Sequence, residues 1–297
     1  MRFALSAEQN SFATSLHDLL STVDEKVWRR LAELGVTALG VSEQHGGLAA
    51  EVADLVVACE ALGYHCVPGP WTDTIAVLPA LLDDPVLASV ASGEARASVV
   101  FGPHVPYALD ADAADIRVAV DGTRLRTFTP SAELRSIDPS RRLFEAVPGD
   151  DLGPARDAAR AFDLGVLATA AQLLGAGRWL LETSVAYARQ RRQYGREIGT
   201  YQAIKHLLAD VVTALELARP LLYGAAVMMS TQDVSAAKVA CGEAALLAAK
   251  TGLQVHGAIG YTAEHPLGSR LLRVRALASA WGTAEFHRRR ILAAVAP

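Results

Sequence analysis

The sequence predicts a mainly α-helical protein that carries one small β insert. Helical patterns fill residues 1–96 and 150–297, where apolar side chains recur three and four positions apart. Between them, residues 97–149 hold short β-prone runs separated by turn residues. We therefore predict three domains in chain order: an N-terminal helical domain, a reduced middle β-domain and a C-terminal bundle of four or five antiparallel helices.

The helix boundaries in residues 1–96 are marked by capping and stop residues. Ser6 followed by Gln9 fits a capping box at the start of the first helix. Gly35 and Gly63 follow apolar helical patterns and fit the ends of the second and third helices.

The middle segment contains three β-prone runs, with the sequences ASVVFG, IRVAVDGTRLRTFT and RLFEAV. Asp121-Gly122 interrupts the second run and predicts a hairpin turn. The segment has room for a few strands of about five or six residues, which is small for a complete ligand-binding domain. The acidic pair Asp150-Asp151 is interpreted as the cap of the helix that follows.

Long helices are predicted for the rest of the chain. The segment TYQAIKHLLADVVTALELAR shows one apolar helix face, made of Ile204, Leu207, Leu208, Val211 and Leu215. Neighbouring helices are rich in alanine and glycine, which favours close packing in a bundle.

The composition excludes several classes of function. A formal charge of −4 gives no reason to expect nucleic-acid binding. The three cysteines are an odd number without metal-ligand spacing, which indicates reduced thiols in a cytoplasmic protein. The polar N-terminus does not fit a signal peptide, and we expect no apolar run of membrane-spanning length. The histidines lack metal-ligand spacing, so no metal site is predicted.

The first candidate binding segment is RQRRQYGREIG, which joins two predicted helices. It places four arginines around Tyr194-Gly195, namely Arg189, Arg191, Arg192 and Arg196. Such a cluster suits an anionic ligand such as a pyrophosphate. The same cations could instead offset the dipole at the end of a helix, and the charge pattern alone leaves both interpretations open.

The second candidate segment is QVHGAIGYTAEHP, at the end of another predicted helix. Gln254 can donate a hydrogen bond, and the backbone at Gly257 could approach a ligand closely. Glu264, later in the segment, could accept hydrogen bonds from backbone amides. A plain glycine cap leading into a loop explains the same pattern equally well.

Taken together, these segments resemble the acyl-CoA dehydrogenase family. RRQYGREIGTYQAIKHLLADVVTALELAR is similar to the R-x-Q-F-G helix pair of that family, and QVHGAIGYTAEHPLGSRLLRVRAL to its Q-x-x-G-G-x-G-Y-x-x-E-x-P segment. LAELGVTALGVSEQHGG resembles part of its N-terminal region. The resemblance implies a helical N-terminal domain, a middle β-domain and a C-terminal four-helix bundle, together with FAD-dependent oxidation of acyl-CoA thioesters to 2-enoyl-CoA.

The resemblance also implies which residues hold the cofactor. In the family, the two C-terminal motifs reach across an interface to the FAD of a neighbouring subunit. Carried over to this chain, the resemblance implies six residues that would contact the FAD of a partner chain: Arg191, Gln193, Tyr194, Gln254, Gly257 and Ala258. Ala258 stands where the family has a second glycine, which makes close backbone approach harder there.

The catalytic base of the family has no counterpart in this chain. The α-proton of a thioester must be taken by a carboxylate. The usual glutamate position, before Gly-Thr, holds Trp281, and Thr283 is left to cap the last helix and to contact flavin. The other known base position falls near Gly165; the nearest acid, Asp163, is two residues away and would face elsewhere on a helix.

The middle segment departs from the family as well, because it lacks a T-E-P-x-x-G-S-D stretch. Two such losses predict a division of labour within an α2β2 acyl-CoA dehydrogenase, as in bacterial enzymes that act on steroid side chains. In this hypothesis the present chain completes the FAD site of a partner subunit, which supplies the glutamate. Two alternatives stay open: a self-sufficient enzyme with a relocated base such as Asp163 or Glu182, and a non-enzymatic scaffold of the same fold.

Overall fold

The computed structural model describes residues 5–262 and 265–295. Its first region is helical, as predicted, and the helices are α1 (Ala7–Leu20), α2 (Val27–Glu33), α3 (Val52–Tyr64), α4 (Leu78–Leu81) and α5 (Leu87–Ala91). A π-helical turn, Thr72–Val77, runs directly into α4. This region packs its apolar faces into the same core as the C-terminal helices.

The predicted caps of the first region are confirmed at two positions. The N–H of Gln9 donates to Oγ of Ser6 at 3.1 Å, and the N–H of Ser6 donates back to Oε1 of Gln9 at 3.1 Å. This reciprocal pair is a capping box. Gly35 adopts φ +88° just after α2, a left-handed conformation that ends the helix.

The middle region forms one five-stranded sheet in the order β1-β3-β4-β5-β2. Its strands are β1 (Ala97–Phe101), β2 (Ala108–Leu109), β3 (Ile116–Asp121), β4 (Arg124–Leu134) and β5 (Leu143–Pro154). Strands β3 and β4 pair as the predicted hairpin, closed by Asp121 opposite Arg124. Strand β5 extends past the predicted domain boundary at residue 149.

The interpretation of Asp150-Asp151 as a helix cap is wrong. Both residues lie within β5, and Asp151 forms an ion pair with Arg124 on the neighbouring strand. A cross-strand cation, not a helix terminus, therefore balances this charge. The helix cap comes from Asp157, whose carboxylate accepts the N–H of Arg160 at 2.9 Å.

The C-terminal region is a bundle with one central helix. Its elements are α6 (Ala158–Gln190), β6 (Arg192–Gln193), β7 (Arg196–Glu197), α7 (Gln202–Met228), α8 (Thr231–His256), α9 (Leu267–Ser279) and α10 (Ala284–Val295). Helix α6 packs against α3, α7, α8 and α9, and α10 packs on α8. The predicted apolar face of α7 is confirmed, since Val211 and Leu215 are buried.

Gly63 is not a helix stop, because α3 continues to Tyr64. A Cβ at Gly63 would lie 2.1 Å from the carbonyl oxygen of Gln172, and one at Gly175 would lie 1.9 Å from that of Glu60. These glycines let α3 and α6 cross with their backbones in close contact.

The expectation that no apolar segment reaches membrane-spanning length is wrong. Helices α6 and α7 are both long and apolar enough by length and composition. In α6, most of the apolar window is buried by other parts of the protein, because this helix is the centre of the bundle.

The buried guanidinium of Arg273, in the C-terminal region, contacts residues of the other two regions. Arg273 on α9 forms an ion pair with Asp138 and donates to the carbonyl of Val67 at 3.1 Å and to Oγ of Ser140 at 2.7 Å. Its partners come from the N-terminal region and from the β4–β5 loop. The guanidinium therefore fixes how the sheet sits against α9.

Candidate functional site

The first candidate segment forms a short hairpin at the end of α6. Arg191 ends the helix, and β6 and β7 are joined by Tyr194-Gly195, whose φ values are +50° and +81°. Two successive left-handed residues are what a two-residue hairpin turn requires. The turn projects Tyr194 into solvent, where its side chain is 93% exposed.

The arginines of this hairpin differ in how they are paired. Arg192 lies 3.8 Å from the carboxylate of Glu197, and Arg196 stacks over the ring of Tyr201 at 4.0 Å. Arg191 is exposed, and its guanidinium has no hydrogen bond or ion pair among residues 5–262 and 265–295. It is thus free to bind an anion from outside the chain.

The second candidate segment ends α8. Gln254 is exposed, and Gly257 follows the helix with φ +62° and ψ −138°, a conformation open almost only to glycine. Its N–H donates to the carbonyl of Leu253, so the predicted cap is present. A Cβ at Gly257 would meet nothing within 4 Å, so the backbone there is open to a ligand. Ala258 is exposed beside it, and Glu264 lies outside the described residues.

An aromatic stack brings the two segments to the same end of the bundle. The ring of Tyr187 on α6 lies 4.4 Å from that of His256 on α8, at an angle of 24°. His256 is buried, its Nδ1 lies 2.8 Å from the carbonyl of Gly252, and burial lowers its pKa. From the sequence, the histidines were considered only as metal ligands and no metal site was predicted, so this role of His256 was missed. We call residues 191–197 and 254–258 the bundle tip.

A separate cluster lies near the other end of α6. Trp281, 4% exposed, contacts Gly165 so closely that a Cβ there would lie 2.5 Å from the indole. The rings around it are Phe101, His104, Phe162 and Phe286, with centroids of Phe162 and Phe101 at 5.7 and 6.0 Å from that of Trp281. We call these four rings and Trp281 the Trp281 cluster. The two positions that the resemblance assigns to a base thus meet in space and hold an indole and a glycine.

The turn that carries Trp281 is stabilised by contacts of its backbone carbonyls with two buried side chains, His287 and Lys238. Trp281 and Gly282 both have positive φ, at +56° and +96°. Nε2 of His287 lies 2.9 Å from the carbonyl oxygen of Trp281, and Nζ of Lys238 donates to the carbonyl of Gly282 at 3.4 Å and of Ala278 at 3.1 Å. Burial lowers the pKa of Lys238 to about 8 and that of His287 to about 4.

The two acids considered as relocated bases are both engaged elsewhere. Asp163 lies 2.6 Å from Nη2 of Arg290 and accepts from the hydroxyl of Thr231 at 3.1 Å. It therefore faces α8 and α10, whereas Gly165 faces Trp281. Glu182 accepts from the hydroxyl of Tyr64 and lies 17 residues further along α6, about 25 Å from Gly165.

The predicted cofactor residues fall into two groups. Arg191 follows Gly165 by 26 residues along α6, which places the bundle tip about 39 Å from the Trp281 cluster at the rise of an α-helix. Thr283 belongs with the cluster, where its Oγ1 accepts the N–H of Phe286 at 3.3 Å and caps α10. One dinucleotide cannot contact both groups within a single chain.

Comparisons with known proteins give matches over most of the chain. Residues 7–92 match the acyl-CoA dehydrogenase N-terminal domain, and residues 155–296 match the acyl-CoA dehydrogenase C-terminal domain. The acyl-CoA dehydrogenase IpdE2 of Mycolicibacterium smegmatis is 34% identical over 286 residues, covering 92% of this chain and 88% of the relative. IpdE2 of Mycobacterium tuberculosis is 33% identical over 82% of this chain and 78% of its own length.

Solved structures show the same fold. Butyryl-CoA dehydrogenase from Megasphaera elsdenii superposes with a TM-score of 0.87 at 20% identity, covering 99% of this chain and 100% of its own. The ChsE4-ChsE5 complex from Mycobacterium tuberculosis superposes with a TM-score of 0.85 at 22% identity over the full length of both chains. The predicted fold class is therefore confirmed, and the chain belongs to the acyl-CoA dehydrogenase family, whose cofactor is FAD.

Proposed function

We propose that this chain is one subunit of a hetero-oligomeric, FAD-dependent acyl-CoA dehydrogenase. In this assembly it completes the FAD site of a partner subunit, and the partner supplies the catalytic glutamate. The observation that carries the proposal is the contact of Trp281 with Gly165. Trp281 and Gly165 occupy the two positions where the family keeps a base. Neither an indole nor a glycine can accept the α-proton of a thioester.

The bundle tip fits the role of completing a neighbour's site. Arg191 offers an exposed guanidinium for a pyrophosphate, and Gly257 offers open backbone for close approach. Gln193, Tyr194, Gln254 and Ala258 are exposed around them. Bound FAD supplies the acceptor for the hydride that leaves the β-carbon of the acyl-CoA. These six residues would bind and orient the cofactor and take no proton themselves.

The separation within α6 supports a cofactor shared between chains. The tip lies about 39 Å from the Trp281 cluster, so the tip serves a cleft on another subunit. The ChsE4-ChsE5 structure is of a complex, and the Tcur3481-Tcur3483 protein is a steroid acyl-CoA dehydrogenase of the same fold, with a TM-score of 0.85 at 20% identity. The ChsE4-ChsE5 complex favours a partner subunit here, and the Tcur3481-Tcur3483 protein favours a steroid thioester as substrate.

The two alternatives receive less support. A self-sufficient enzyme needs a free base near the flavin, yet Asp163 is paired with Arg290 and Glu182 is remote. A pure scaffold has no need of an exposed Arg191 that pairs with none of the described residues, next to an open Gly257.

Co-expression with a longer acyl-CoA dehydrogenase subunit tests the proposal. We expect the chain alone to carry no flavin and the co-purified complex to be yellow and active. Arg191→Gln should weaken FAD binding to the complex by about tenfold or more, since a charge-assisted contact is lost. The adjacent Arg192→Gln, whose native side chain is near Glu197, serves as the control and should retain FAD. Stoichiometric FAD and dehydrogenase activity in a pure homo-oligomer would contradict the proposal.

A further inference from the structure

A cavity beside the Trp281 cluster has no part in the proposed function. It lies between the middle sheet and the C-terminal end of α9 and has a volume of about 340 Å³. That volume is within the range of small-molecule sites. The ion pair of Arg273 with Asp138 fixes the loop that forms one wall.

The walls of this cavity are mostly apolar and partly aromatic. Trp281 and Tyr107 contribute rings, and Ala276 and Ala280 on α9 leave space between them. Ile137 and Tyr107 are 54% and 46% exposed, so the entrance is apolar as well. Apolar surface left open at a concave site is typical of ligand binding.

Two arginines line the same cavity without a direct salt bridge to any described residue. Arg135 and Arg141 form no ion pair or side-chain hydrogen bond within the part of the chain that the structure describes. The next residue, Arg142, pairs with Asp112 and Glu133, and Arg273 pairs with Asp138. Burial, together with the nearby Arg273 cation, lowers the pKa of Arg141, and the carboxylates of Asp138, Asp73 and Asp110 act in the opposite direction.

Arg135 is exposed and Arg141 is half-buried, and neither guanidinium is hydrogen-bonded within the described residues, so both keep N–H donors for an anion in the cavity. We propose that this cavity binds a small organic monoanion with an apolar ring body, such as an aryl or alicyclic carboxylate. Arg141 and Arg135 bind the carboxylate, and Trp281 and Tyr107 contact the rings. Because Trp281 stands where a base would be needed, the ligand is held without being oxidised, so this is a binding site and not a second active site.

Isothermal titration calorimetry with 2-naphthoate tests this site in the full chain, purified with its co-expressed partner. We expect one saturable site per copy of this chain, and weaker binding of the uncharged analogue 2-naphthalenemethanol. Arg141→Gln should weaken 2-naphthoate binding by about tenfold or more. Ile137→Glu, a change at an exposed position that leaves the fold intact, should weaken it through repulsion of the anion.

A control variant and the partner's own acyl site distinguish binding in this cavity from binding elsewhere in the complex. Arg142→Gln alters the neighbouring, paired arginine and should leave 2-naphthoate affinity within twofold of the parent. Any 2-naphthoate bound at the partner's own acyl site is unaffected by substitutions in this cavity. The inference is overturned if neither Arg141→Gln nor Ile137→Glu weakens binding, if the alcohol binds as tightly as the carboxylate, or if flavin occupies this cavity. The flavin content of the complex is measured separately, so failure here leaves the proposed function standing.

Discussion

The bundle tip and the Trp281 cluster lie at opposite ends of α6 and have opposite character. At the tip, Tyr194 is almost fully exposed, Arg191 is unpaired within the described residues, and Gly257 has open space beside its backbone. At the cluster, Trp281 is buried and the groups behind it are hydrogen-bonded. The tip offers groups that a ligand could bind, whereas the position of the base in the cluster is already filled by the contact of Trp281 with Gly165.

This difference separates two properties that one active site usually combines. Exposed, unsatisfied polar groups preserve the capacity to bind, while close packing at the position of the base removes the capacity for proton transfer. A chain with both features is suited to assist catalysis on another subunit. Substitutions at each end of α6 should therefore have distinct consequences: stability at the cluster and cofactor binding at the tip.

The largest effect is expected from Trp281→Glu. Removing the indole leaves a cavity and buries a carboxylate among the aromatic rings of the cluster, so the free energy of unfolding should fall by about 4 kcal/mol or more. We expect no dehydrogenase activity from this variant, because the substitution removes the packing against Gly165 but does not create a site that binds FAD. Chemical denaturation measures the free energy of unfolding, and an acyl-CoA oxidation assay measures the dehydrogenase activity. Trp281→Phe, the milder control, should cost less stability. Dehydrogenase activity in Trp281→Glu would show that this end of α6 still holds a usable active site.

A somewhat smaller effect is expected from pH at His287. Burial lowers its pKa to about 4 from an ordinary value of 6.5, so only the unfolded chain takes up the proton between these values. The stability contributed by neutral His287 is thus lost as pH falls from 6.5 to 4, by up to about 3 kcal/mol. Denaturation of His287→Asn across this window should show a flatter pH dependence than the parent. The exposed His206→Gln is the control, and equal slopes for His287→Asn and the parent would contradict this reasoning.

The smallest effect is expected from Asp163→Asn. Its partner Arg290 would lose a buried counter-ion, although the amide keeps a hydrogen-bonding oxygen, and this should cost about 2 kcal/mol of stability. Turnover of the complex should stay within twofold of the parent, because Asp163 faces Arg290 and not the position of a base. Glu243→Gln, in the exposed pair with Arg288, is the matched control and should cost under about 1 kcal/mol. A hundredfold loss of turnover in Asp163→Asn would make this residue the base.

Local signals in the sequence predicted local structure well. The capping box of Ser6 and Gln9 involves residues three positions apart, and the β3–β4 hairpin is closed by a two-residue turn. Both depend on short-range geometry that the sequence specifies directly.

Features that depend on distant partners were misinterpreted or missed. Gly63 looked like a helix stop, but it lies where α3 crosses Gln172 of α6. Asp151 looked like a cap, but its charge is balanced by Arg124 on the next strand. The contact between Gly165 and Trp281 joins residues more than one hundred positions apart, so the sequence could name both positions but not bring them together.

The ratio of FAD to protein chains in the co-purified complex tests the central claim most directly. It is measured by flavin absorbance after denaturation, against the amount of each subunit. If this chain completes its partner's site and has none of its own, the complex holds one FAD for each pair of chains. Two FAD molecules per pair, one of them bound beside Trp281, would contradict the account.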